Sequence, residues 1–171
     1  MSVSRLNCKA ATTIIVVLSS ILFVGNVLAE TFSFLGPSGG GGGNYYSDSQ
    51  TGGRQLIEVR IRSGAFIDAI QTVYVDAIGQ KFVSQRYGGG GGNLDIFKLA
   101  PGEYITRISG KYGSFVDSLL IQTNKGRAKG WGGSGGSANY TYTAPPGSRI
   151  HGFFGRSGKF IDSVGVILKT P

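Results

Sequence analysis

Three copies of one short pattern limit what this chain can fold into. Gly64-Ala65-Phe66-Ile67-Asp68, Gly113-Ser114-Phe115-Val116-Asp117 and Gly158-Lys159-Phe160-Ile161-Asp162 all read Gly-x-Phe-(Ile/Val)-Asp, spaced 49 and 45 residues apart. A pattern that recurs at a near-constant period marks a repeated structural unit, and such units bury their apolar faces only against one another. The chain is therefore expected to be a three-part array. After the first two copies the chain reaches a glycine cluster, at Gly88–Gly92 and at Gly130–Gly136. The third copy runs out of chain, and the cluster it lacks stands at the other end, Gly39–Gly43. A closed threefold arrangement lets the two ends meet, with a strand at Thr31–Leu35 completing the sheet begun by Phe160–Lys169.

Glycine is abundant, 30 residues in all, but it is bunched into those clusters. The segments between them are rich in Ile, Val, Phe, Tyr and Leu, which is how strands separated by loops read, and not how a disordered chain reads. Beyond Glu30 no stretch of ten residues keeps a helical apolar spacing without a Gly or Pro to break it. Short β-type runs fit instead at Thr31–Leu35, Gln55–Ile61, Phe66–Val75, Lys81–Arg86, Leu94–Leu99, Tyr104–Ser109, Phe115–Thr123, Tyr140–Thr143, Arg149–Phe154 and Phe160–Lys169. Ala77-Ile78-Gly79, Ala100-Pro101-Gly102 and Ala144-Pro145-Pro146-Gly147 supply turns between them. The expected fold class is all-β.

Residues 1–29 read differently. Arg5 and Lys9 precede an uncharged stretch from Ala10 to Ala29, and Val27 and Ala29 suit a cleavage site before Glu30. This is the pattern of a secretory signal, with 30–171 as the mature domain. An uncleaved anchor is the alternative, because 20 uncharged residues approach the length a bilayer needs. Removal of the leader also removes Cys8, the only cysteine, so no disulfide is expected. It lowers the formal charge from +8 to +6. A basic surface attracts polyanions, but the basic residues are scattered, and the densest run, Lys125-Gly126-Arg127-Ala128-Lys129, reads as a solvated turn.

An ionised carboxylate only accepts hydrogen bonds, whereas backbone N–H groups beside glycines only donate. An Asp turn facing a glycine loop therefore offers both halves of what a sugar hydroxyl pair needs. Glycine also lets the backbone approach a ring closely and takes up φ > 0 at little cost. The competing reading of each Asp is a local cap that holds its own turn. Three equivalent Asp residues, each with a matching glycine loop, favour the binding reading. The Phe of each motif shares strand parity with core residues and is expected to pack.

Gly36-Pro37-Ser38 leading into Gly39–Gly43, Gly102-Glu103-Tyr104, Thr123-Asn124-Lys125 and, above all, Gly152 through Asp162 resemble the jacalin-related lectins, over essentially all of residues 30–171. The resemblance implies a β-prism I: three four-stranded antiparallel Greek-key sheets about a pseudo-threefold axis, with sugar sites at one end. It implies that Asp162 receives sugar hydroxyls while Lys159, Phe160 and Gly43 donate backbone N–H groups. By the same pairing Asp68 joins Ala65, Phe66 and Gly92, and Asp117 joins Ser114, Phe115 and Gly136. The third cluster departs from the pattern, because Trp131 and Ser134 interrupt its glycines. The galactose-preferring branch depends on a chain cut that frees a glycine N-terminus; no such cut is advertised here, so mannose or glucose glycans are the expected partners.

No catalytic role is expected. His151, the only histidine, lies in a strand pattern, and the three motif acids come from separate repeats, whereas glycoside hydrolysis needs a pair of carboxylates close together. No metal, other cofactor or nucleic acid is expected either. Membrane contact would come only through glycans or an uncleaved N-terminus, and a homodimer stays open. The expected function is that of a secreted lectin for mannose- or glucose-type glycans. The alternative is an electrostatic binder of acidic polysaccharide or an anionic membrane surface. Trp131, Tyr45, Tyr46, Tyr87 and Tyr112 border the loops as stacking faces or as anchors, and Asn139-Tyr140-Thr141 forms a glycosylation sequon.

Overall fold

A computed structural model describes residues 30–170; the leader and its cleavage site lie outside the described residues. Thirteen strands are connected by turns and a single 3₁₀ turn, Ser49–Thr51. In chain order they are β1 (Thr31–Gly39), β2 (Asn44–Ser47), β3 (Gln55–Ser63), β4 (Ile67–Val75), β5 (Lys81–Val83), β6 (Tyr87–Gly88), β7 (Asn93–Lys98), β8 (Ile105–Tyr112), β9 (Ser118–Thr123), β10 (Ala128–Gly132), β11 (Ala138–Thr143), β12 (Arg149–Ser157) and β13 (Ile161–Thr170).

The pairing follows the three repeats. Unit one is β5-β4-β3-β7, with β6 continuing the interrupted outer strand beside β4. Unit two is β10-β9-β8-β11, and unit three is β1-β13-β12-β2. By hydrogen bonding there are two sheets instead of the three expected, because a single pair, Ile150 with Ile105, joins units two and three into one eight-stranded sheet. Each half keeps its four strands. The chain ends meet as expected: Thr31 pairs with Thr170 and the register runs to Gly39 opposite Ser163. Lys169, buried at 1% exposure, locks this seam through Glu30 (2.6 Å) and the Gly53 carbonyl (3.1 Å).

The core is assembled from all three units. Val59, Ile61, Ile67 and Ile70 meet Ile105, Ile108, Val116, Leu119 and Ile121, and these meet Ile150, Phe153, Ile161, Val164 and Val166. Each such side chain contributes about 1.5–3 kcal/mol by burial, so removal of any unit would strip the other two of their interior. Strand β13, which alternates in sequence, is buried on both faces from Ile161 to Lys169. Its outer face is covered where the Phe154 ring rests over Gly165, and Phe34 meets Phe154 edge-on at 5.3 Å.

Three strands escape a reading of the sequence. β2 and β6 are too short to carry a period, and β10 (Ala128–Gly132) hides between a turn and a glycine cluster. The basic run Lys125–Lys129 is accordingly half turn and half strand. Phe66, Phe115 and Phe160 pack as expected, but against one another at the turn tips, just outside the strands, where they are half-buried.

Candidate functional site

The three Gly-x-Phe-(Ile/Val)-Asp segments form the same turn. Gly64 donates its N–H to the Phe66 carbonyl at 3.0 Å, Gly113 to Phe115 at 2.9 Å, and Gly158 to Phe160 at 2.9 Å. A register shift precedes the turn in units one and three, at Arg62/Ser63 and Arg156/Ser157, and a bulge of this kind bends a strand and re-aims the residues beyond it. The turns then converge. Ile67 N–H reaches the Val116 carbonyl at 2.9 Å, and Val116 N–H reaches the Ile161 carbonyl at 2.8 Å. Above these bonds the three Phe rings contact one another, with centroids 5.6, 5.2 and 5.1 Å apart.

Each glycine loop docks beside its aspartate in the same way. The second loop glycine donates to the aspartate's backbone carbonyl: Gly40 to Asp162 (2.8 Å), Gly89 to Asp68 (2.9 Å) and Gly133 to Asp117 (2.9 Å). The fourth and fifth loop residues then face the carboxylate. A Cβ on Gly42, Gly91 or Gly135 would strike one carboxylate oxygen, and a Cβ on Gly43, Gly92 or Gly136 the other. The fifth residues also have positive φ, +62°, +59° and +82°. Side chains are thus excluded there twice, by space and by backbone conformation.

All twelve residues named from the sequence fall into these three places. Asp162 faces Gly43 beside the turn of Lys159 and Phe160; Asp68 faces Gly92 beside Ala65 and Phe66; Asp117 faces Gly136 beside Ser114 and Phe115. The aspartates are 5–6% exposed. Among the described residues, none of the nine N–H groups of Ala65, Phe66, Gly92, Ser114, Phe115, Gly136, Lys159, Phe160 and Gly43 has a protein acceptor. Asp162 Oδ2 is likewise buried without a donor. Buried polar atoms are otherwise almost always paired. Each place therefore combines an acceptor carboxylate with three free donors.

Sequence reasoning missed a clamp behind two of the loops. Arg62 donates Nε to Gly91 O at 2.7 Å and Nη2 to Gly92 O at 2.9 Å. Arg156 does the same to Gly42 O (2.8 Å) and Gly43 O (2.7 Å). The planar fork of arginine suits two adjacent acceptors. In unit two the corresponding residue is Lys111, two before Gly113, and it makes no such bond among the described residues. The sequence signal was the shared position two residues before each motif glycine.

The third loop is more regular than its sequence suggests. Ser134 stands where the other loops have Gly41 and Gly90, and at both of those a Cβ would meet nothing within 4 Å. A side chain is tolerated at that one position. Trp131 precedes the loop instead of interrupting it; it is buried and donates Nε1 to Asp95 at 2.9 Å. Hydrogen bonds from Lys129 and Trp131 hold the Asp95 carboxyl below its ordinary range. Tyr87 anchors its own loop through Ser47 O and Asp48 (both 3.1 Å), stacked on buried Tyr46 at 4.4 Å. Ser38 does so through Tyr142 (2.6 Å). Tyr45 alone of the bordering aromatics is strongly exposed, at 66%.

His151 lies away from these places. It is buried, its Nε2 is 2.8 Å from Thr51 Oγ1, and burial, with Lys169 and Arg149 nearby, lowers its pKa to about 4. It is neutral under ordinary conditions. Asp48, pushed up by burial, sits in the same interior network with Thr72 and Phe153 N–H.

The model of the Jacalin-like lectin domain matches residues 35–167. The chain belongs to the jacalin-like lectin family. Horcolin of Hordeum vulgare is 37% identical over 143 residues, covering 80% of this lectin and 96% of that protein. Zymogen granule membrane protein 16 of Homo sapiens is 33% identical, over 83% of this chain and 84% of that one. Among solved structures, a Malaysian banana lectin superimposes with a TM-score of 0.72 at 30% identity, over 82% of this chain and 100% of its own. A mannose binding jacalin related lectin from Ananas comosus gives 0.72 at 32% identity, over 82% and 98%. The fold is the β-prism I of these neighbours, and the protein is a carbohydrate-binding lectin of a non-catalytic family.

Proposed function

We propose that this lectin is secreted and binds mannose- or glucose-type glycans through three sites, centred on Asp68, Asp117 and Asp162. The observation that carries the reading is the threefold set of carboxylates, each beside three unpaired N–H groups, two in its own turn and one in the facing glycine loop. In each site the carboxylate would accept from two adjacent sugar hydroxyls, and the N–H groups would donate to their oxygens. Hydrogen bonds to a charged group contribute roughly 1.5–3 kcal/mol, neutral ones about 1. A lone shallow site is thus expected near millimolar strength, about −4 kcal/mol. Three on one face would raise avidity for a branched glycan by ~10²–10⁴. The mannose-binding Ananas comosus relative supports the choice of sugar.

Calorimetry with methyl α-mannoside tests this. The wild type is expected to bind three equivalents and Asp162→Ala two, and the triple Asp→Ala variant none, with the fold unchanged. Undiminished stoichiometry in Asp162→Ala would overturn the residue assignment. Binding that collapses with salt and ignores free mannoside would instead support the electrostatic reading.

A further inference from the structure

The outward face of unit two departs from its two counterparts in a consistent way. Opposite the clamp residue, units one and three carry large exposed apolar side chains: Leu94 pairs with Arg62, and Tyr45 pairs with Arg156. In unit two the same place is Asn139, paired with Lys111. Asn139 opens the sequon Asn139-Tyr140-Thr141. Tyr140 is buried at 5%, and Asn139 and Thr141 are both exposed, so strand alternation turns both sequon side chains outward. The Asn139 side chain makes no hydrogen bond among the described residues.

This outward face adjoins the Asp117 site. The carbonyl of Lys111, the cross-strand partner of Asn139, accepts the Asp117 N–H at 2.9 Å. Asn139 is three residues from Gly136, at most ~11 Å of chain. Beside it runs an open groove of about 490 Å³, lined by Arg107, Ser109, Lys111, Gly130 and Thr141 among others. Its walls are mixed, with Arg107, Ser109, Lys111 and Thr141 beside Leu120 and Trp131, a combination that matches the polar edges and apolar faces of sugar rings.

We propose that Asn139 is an N-glycan acceptor and that its glycan screens the Asp117 site. In the attachment, Asn139 Nδ2 forms a bond to the anomeric carbon of a lipid-pyrophosphate-linked oligosaccharide. The bond from that carbon to the pyrophosphate breaks, the pyrophosphate leaves with the electron pair, and one amide proton is released. A secretory enzyme catalyses the step on Asn-x-Thr before folding. The first sugars then occupy the groove, and the outer ones reach over the rim of Gly136. The sites at Asp68 and Asp162 stay open, so the glycosylated lectin binds two equivalents of sugar and the bare one three. The screening half rests on the three-site reading above; the attachment half does not.

The test is expression of the full chain in a eukaryotic secretory host. The purified protein is expected to lose the mass of one N-glycan on amidase digestion, with Asn139 converted to aspartate. Asn139→Gln and Thr141→Ala are each expected to lack that mass. Methyl α-mannoside titration should then give two equivalents before digestion and three after it, and three for both variants. Absence of the glycan from the wild type overturns the proposal whatever the sugar binding. A glycan that leaves the stoichiometry unchanged overturns the screening. If the bare protein binds no mannoside while the mass shift is present, the three-site reading has failed and the attachment stands.

Discussion

Arg156 holds Gly43 from behind: its Nη2 donates to the Gly43 carbonyl at 2.7 Å while Nε takes the Gly42 carbonyl at 2.8 Å. Gly43, whose N–H has no protein acceptor among the described residues, is thus kept in position through its carbonyl. A flexible run of five glycines would otherwise lose entropy on every binding event.

Arg156→Ala is expected to weaken mannoside binding at the Asp162 site by roughly two- to tenfold, the worth of about one net hydrogen bond. Stoichiometry should stay at three, because the carboxylate is untouched. Lys111→Arg should act in the opposite sense at the Asp117 site. Calorimetry resolving the weaker class of sites checks both; an Arg156→Ala titration identical to wild type would remove the clamp from the account.

The second glycine of each loop has another duty. A Cβ on Gly40 would run into the Ser114 carbonyl, one on Gly89 into that of Lys159, and one on Gly133 into that of Ala65. Gly40→Ala, Gly89→Ala and Gly133→Ala are therefore expected to cost about 1–3 kcal/mol each, as overpacking against rigid backbone does. Gly41→Ser and Gly90→Ser should be near neutral, since Ser134 already stands at the equivalent place. Denaturant melts of the five variants check this contrast.

Phe115 touches both Phe66 (5.6 Å) and Phe160 (5.1 Å), so it couples the three turns. Phe115→Ala is expected to lower stability by roughly 2 kcal/mol and to weaken mannoside at all three sites together. Asp117→Ala should silence a single site and leave the others as they were. Titrations of the two variants side by side separate a shared support from a local ligand contact.

His151 predicts a pH dependence. Its folded pKa, about 4, lies below the ordinary 6.5, so the unfolded chain binds more protons between those values. Its contribution is present above about pH 6.5 and is lost as pH falls toward 4, by a few kcal/mol. Asp48, whose pKa is raised, acts in the opposite sense: its neutral form favours the fold, and that advantage fades as pH rises through its folded value. Thermal melts from pH 7 to pH 4 should fall steadily for the wild type and less for His151→Gln.

The aspartate turns and glycine loops are legible in the sequence because their physics is local: a turn needs Gly and Asp at fixed offsets, and repetition distinguishes them from chance. Contacts between residues far apart in the chain are not. Arg62 and Arg156 read as ordinary strand charges, and only the folded register puts their guanidinium groups behind Gly91–Gly92 and Gly42–Gly43. Ser134 looks like damage to a cluster because nothing in the sequence says which loop glycines have room for a side chain. The parity of the Phe trio fits strand core; its place at the axis depends on three turns converging. The merging of two sheets through Ile105 and Ile150 leaves no trace in the residues at all.

The contacts of those second glycines have a direction. The loop beside Asp162 leans on the Asp117 turn, the loop beside Asp117 on the Asp68 turn, and the loop beside Asp68 on the Asp162 turn. Each overlaps the next in one rotational sense, like the blades of an iris, and the last closes over the first. No blade can be seated alone. One or two units expressed without the third would have nothing to close against, whereas a chain re-joined from Thr170 to Thr31 and opened at the turn around Ile78 would keep every overlap, because the topology is a ring whose point of cutting is immaterial.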